Sequence, residues 1–126
     1  MKYTLGNLDV YNLAESFADE IWIEIEKWKY FEVDTVGKQL VRAADSISVN
    51  IAEGYGRYSY KEDTHFLHIA RGSATECKSW LRKCKRRKLI DAKKAGTLLT
   101  QLETIALKLN AYIKFVDSGI LKRKIT

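Results

Sequence analysis

The chain contains no proline in 126 residues. Proline punctuates loops and ends helices, so its absence favours long uninterrupted helices over a loop-rich β-sandwich. The apolar spacing agrees. Val10, Leu13, Phe17, Ile21, Ile25 and Trp28 recur every three or four positions and predict an amphipathic helix from about Leu8 to Tyr30, which Asn7 or Asp9 could cap. Val36, Leu40, Ala43 and Ile47 predict a second helix from about Thr35 to Glu53, begun by Asp34 or Thr35. Ser59-Tyr60-Lys61-Glu62 has the form of a capping box. It opens a third helix to about Lys88 that turns Phe66, Ala70, Ser73, Cys77, Trp80, Leu81 and Cys84 inward. Asp91 opens a fourth carrying Leu98, Leu102, Ile105, Leu109, Tyr112, Ile113 and Val116, with Gly119 where a left-handed cap belongs. Four long helices with short connections predict an all-α protein, an antiparallel up-down-up-down four-helix bundle. The length suits one domain over 1–126, with short terminal segments at about 1–6 and 120–126 outside the bundle.

The opening MKYTLGNLDV has no apolar stretch of signal-peptide length, and later apolar runs stop after a few residues. A cytoplasmic protein without membrane contact is expected. Cys77 and Cys84 would lie roughly 10 Å apart along one helix, beyond disulfide reach, and read as reduced core thiols. The formal net charge is +6 and it is segregated. Glu15, Asp19, Glu20, Glu24 and Glu26 make the first helix acidic, whereas Lys78, Arg82, Lys83, Lys85, Arg86, Arg87, Lys88, Lys93 and Lys94 crowd the junction of the third and fourth. Such segregation favours contact with a polyanion or acidic-to-basic docking between protein surfaces.

The stretch SISVNIAEGYGRYSYKE allows two readings. Amides at Gly56 and at the start of the third helix could cradle a phosphate beside Arg57. Alternatively Gly54 caps the second helix in the left-handed conformation, Ser59 caps the third, and the residues between close a helical hairpin. No strand precedes the loop and no Walker lysine-serine pair or full dinucleotide fingerprint is present, which favours the hairpin. Asn50 interrupts the apolar stripe, and Gln39, Arg42, Ser46, Asn50, Glu53 and Arg57 step along as a polar ladder. The ladder is either a solvated face or a seam in which Asn50 fixes register and oligomeric state. Gly72, mid-helix at about 1 kcal/mol against alanine, predicts close backbone approach near Ala43 and Ala44. Apolar residues beyond the main stripe, including Val41 and Val49, point to self-association.

The run QLVRAADSISVNIAEGYGR, then S-x-x-E, then FLHIARGSATE, resembles the four-helix-bundle family of rRNA intervening-sequence proteins, to which the accessory variability determinants of diversity-generating retroelements are related. The resemblance implies a bundle assembling into a homopentameric ring, and no enzyme. In the retroelement branch it implies a nucleic-acid-binding accessory of a reverse transcriptase. By position, Arg42, Ser46, Asn50, Glu53, Gly54 and Arg57 match the motif of the second helix, and Gly72, Ser73 and Glu76 that of the third. Asp63 departs from the usual aromatic, and Ala74 and Cys77 from the usual leucines.

Catalytic readings are weak. Glu62 and His65 give one Glu-x-x-His, where di-metal bundles need two copies and two further glutamates. His65 and His68 lack a third ligand, and Ser46 and Ser73 lack an activating base. Tyr55, Tyr58 and Tyr60 either stack on bases or pack on the bundle end. No metal or cofactor is expected. The basic residues Lys83, Lys85, Arg86, Arg87, Lys88, Lys93 and Lys94 exceed what complementing a helix dipole requires. They are the expected contact for RNA or DNA, with an adaptor that meets an acidic protein as the alternative.

Overall fold

In a computed structural model the described residues are 4–57 and 59–118. They form four long helices and no strand: α1 (Asp9–Ile25), α2 (Lys38–Tyr55), α3 (Tyr60–Arg86) and α4 (Ala92–Asp117). A 3-10 turn at Leu5–Asn7 precedes α1. Each helix buries the stripe its spacing dictates. Phe17, Ile21, Leu40, Ile47, Leu81, Leu98, Ile105 and Leu109 are among the side chains removed from solvent at the centre. Burying one such aliphatic or aromatic side chain contributes about 1.5–3 kcal/mol.

Consecutive helices run antiparallel, and the ring closes from α4 back to α1. The ends show the sense. Gly37, just before α2, lies against Ile25 at the end of α1 and Trp28 just beyond it. Thr64 at the start of α3 donates to Asp117 at the end of α4 (2.9 Å). Lys94 and Lys108, near opposite ends of α4, pair with Glu20 and Asp9 of α1. The expected four-helix bundle is the observed fold.

Caps decide two helix starts as expected. Ser59 Oγ accepts from Glu62 N–H, and Asp91 Oδ1 from Lys94 N–H. Each satisfies an amide that the first helical turn leaves unpaired, contributing about 1 kcal/mol.

The boundary between the first two helices differs from expectation. The chain leaves α1 at Ile25, and Trp28 folds back onto the core beside Gly37. Helical geometry resumes at Tyr30–Glu32 and passes through a π-helical turn, Val33–Gly37, into α2. Asp34 and Thr35 therefore do not cap. Thr35 Oγ1 instead donates back to the carbonyl of Phe31 (2.7 Å), a bond a threonine makes inside a helix as readily as a cap bond outside one. Gly119 lies outside the described residues.

Candidate functional site

The glycine turn resolves as a hairpin, but not as the sequence suggested. Gly54 is buried inside α2, and Gly56 ends that helix with φ −77°, so neither glycine is a left-handed cap. A Cβ on Gly54 would sit 2.6 Å from Asp63 Oδ1 and 2.9 Å from the Asp63 carbonyl, so the missing side chain is what lets α2 and α3 close together. The Gly56 amide donates to Ala52 O and the Arg57 amide to Gly54 O. These bonds finish the helix and leave neither N–H for a phosphate. Tyr58 and the side chain of Tyr60 lie outside the described set, and Tyr55 is half-buried.

Along the α2–α3 seam the polar ladder is real and short. Ser73 donates to Ser46 Oγ (2.8 Å) across the two helices. Asn50 Nδ2 donates to Ser46 Oγ (2.9 Å) and to the Ser46 carbonyl (2.8 Å). Ser46, Ser73 and Asn50 thus form one network at the margin of the core. Glu53 pairs with Arg57 (2.9 Å), whose guanidinium lies 4.6 Å from the Phe66 ring centroid. Glu76 accepts from Trp80 Nε1, also on the outer side. Arg42 stands apart from this network and lines an apolar groove with Trp22, Tyr30, Val33 and Val41. Gly72 is a correction. Its α-carbon faces outward with open space where a Cβ would lie, so nothing among the described residues explains it.

The basic residues gather where α3 turns into α4. Arg87 ends α3, and Lys88 adopts φ 60°, the one non-glycine positive φ among the described residues. Its N–H bonds to Lys85 O, and that of Leu89 to Cys84 O, the paired bonds of a Schellman cap. Glycine normally occupies this left-handed position because a Cβ there is strained by about 1–2 kcal/mol. Lys85, Arg86, Arg87, Lys88 and Lys93 are exposed and make no ion pair among the described residues. Lys94 is engaged with Glu20 (3.2 Å), and Lys83 lies 5.9 Å from the Trp80 ring centroid. The turn therefore carries several exposed cations that make no ion pair among the described residues.

No group of three His, Cys, Asp or Glu among the described residues is placed to hold a metal. Cys77 and Cys84 are buried and unbridged, and burial pushes their thiols up to about 12 and about 11, which leaves them unreactive. No helix among the described residues is long and apolar enough to cross a membrane.

Residues 6–111 match the model of the 23S rRNA-intervening sequence protein family. The chain belongs to that family. A solved structure of a protein of unknown function from the S23 ribosomal protein family of Bacteroides thetaiotaomicron is similar, with a TM-score of 0.76 and 25% identity over 83% of this chain and 95% of that one. A search of curated proteins finds no match.

As a member of the 23S rRNA-intervening sequence family, the chain has both the seam and the basic turn inside its matched span. Other features of the fold gave no sequence signal strong enough to find. Buried Ser48 donates to Glu15 Oε2 (2.7 Å) and ties α2 to the acidic helix. Asp63 is buried with Oδ1 unpaired, and desolvation pushes its carboxyl up to about 6. Trp22, Ile23, Tyr30 and Phe31 are each more than half exposed around the break after α1, where a continuous helix had been expected.

Proposed function

We propose that this family member is a non-catalytic, self-assembling four-helix bundle that binds nucleic acid through the basic α3–α4 turn. The carrying observation is the set of exposed, unpaired cations at Lys85, Arg86, Arg87, Lys88 and Lys93, with Lys88 held in a backbone conformation that favours glycine. Side chains already paired with carboxylates have little to gain from phosphate, whereas unpaired ones release counterions from the polyanion on contact. Lys83 flanks this set and reinforces the local potential, whereas Lys94, on the other flank, is already engaged by Glu20. Binding of this kind contacts phosphates rather than base edges, so sequence selectivity is low.

The family's description ties it to 23S rRNA, which makes RNA the first polyanion to test. The related retroelement branch adds a reverse transcriptase as a candidate partner, and the free, buried Cys77 and Cys84 support the cytoplasm as the place of action. Self-assembly is supported by outward-facing Gly72 and by Val49 and Ile69, large apolar side chains that α2 and α3 leave exposed. A pentameric ring would repeat the basic turn around an axis.

A second reading, an adaptor for an acidic protein, is favoured by the Glu20–Lys94 pair, where basic and acidic helices already dock within one subunit. Reversing Arg86, Arg87 and Lys88 to glutamate separates the two. Loss of RNA binding at low salt, with helix content unchanged, is expected. Unchanged RNA affinity would leave the adaptor reading in place.

A further inference from the structure

Away from the turn, the α3–α4 face holds a groove of about 300 Å³. Arg71, Lys78 and Arg82 of α3 line it, with Ala74 and Leu102 among its apolar lining and Glu103 of α4 as its carboxylate. Spacings of seven and four put the three cations on one helical face. One more step of four reaches Arg86, in the basic turn. None of the three makes an ion pair among the described residues. Arg71 is oriented by Asn110 Oδ1 (3.2 Å) and by His68 Nδ1 (2.8 Å).

We propose that this groove is a track for one strand of nucleic acid, whose phosphates follow Arg71, Lys78 and Arg82 toward the basic turn. The inference rests on the reading of that turn as a polyanion surface and extends it along the molecule. Packed helix axes lie about 8–10 Å apart, so the furrow between them takes one sugar–phosphate backbone and not a duplex. Arg71 to Arg82 spans about 16 Å of helix axis, the rise of four or five nucleotides at roughly 3.4 Å each. Guanidinium groups at both ends offer paired donors to phosphate oxygens. Glu103 opposes the track, and its charge limits affinity.

The probe is a short fluorescein-labelled single-stranded RNA of mixed sequence, followed by anisotropy across a salt series. Lys78→Gln combined with Arg82→Gln is expected to flatten the log–log salt slope by about 1.4, at roughly 0.7 per lost contact. Glu103→Gln is expected to tighten binding about two- to fivefold, a gain that misfolding does not produce. If both variants bind as wild type while Arg86→Gln with Arg87→Gln weakens binding, the track is refuted and the turn stands. If wild-type protein binds no RNA at low salt, the underlying reading falls and takes the track with it. Poly-glutamate binding as tight as RNA, with the same dependence on Lys78 and Arg82, would overturn the choice of occupant.

Discussion

Asp63 puts a carboxyl against the last turn of α2, where Gly54 leaves room for it and nothing among the described residues pairs with its Oδ1. Desolvation lifts it to about 6, against roughly 3.9 in an unfolded chain. Between those values the native state keeps a proton that the unfolded chain has released. Stability attributable to Asp63 therefore falls as pH rises from about 4 to about 6 and is level above, by about 3 kcal/mol at most. Below about pH 4 both states are protonated and the group is silent. Asp63→Asn should be more stable than wild type at neutral pH, by about 1–3 kcal/mol, with the advantage shrinking toward pH 4. Urea denaturation across that range measures the difference. Lys88 is the other residue at odds with its setting. Lys88→Gly should raise stability by about 1 kcal/mol and weaken RNA binding in the same protein. A local misfit retained at a surface cluster is what a functional site tolerates.

At the scale of helices, two glycines on facing elements have opposite expected effects. Gly54→Ala pushes a methyl group into Asp63 and should destabilise the fold by about 1–3 kcal/mol, read from chemical melts. Gly72→Ala meets open space and should stabilise a lone subunit by up to about 1 kcal/mol. If Gly72 instead receives a neighbouring subunit, the same alanine should lower the assembled mass measured in solution. The sequence made Ser59 and Asp91 legible because a side-chain cap is a local event, settled within three residues. It misplaced the start of the second helix because Thr35 has an equally good bond to make inside one. Gly54 was misread for a related reason. A glycine near a helix end signals either a left-handed cap or a close neighbour, and which holds depends on Asp63, nine residues away.

For the whole molecule, the apolar stripes were enough to specify four antiparallel helices, since each stripe has one way to be buried. Placing the surface groups was harder. The crowding of Lys83 to Lys94 was visible in the sequence, yet only the fold separates Lys94, paired with Glu20, from Lys85, Arg86, Arg87, Lys88 and Lys93, which have no such partner among the described residues. Arg71 drew no attention in the sequence because the opposite wall of its groove, with Leu102 and Glu103, and its partner Asn110 belong to a different helix. Asn50 was visible as a break in pattern, and its bonds to Ser46 reveal a network that continues to Ser73. On the proposed function, these cations form a surface whose affinity for RNA is set by counterion release. The most direct measurement is the salt dependence of wild-type binding to single-stranded RNA. A log–log slope of roughly −3 or steeper is expected if the unpaired cations of the turn each meet a phosphate. A slope near zero, or no binding even at low salt, would contradict the proposed function.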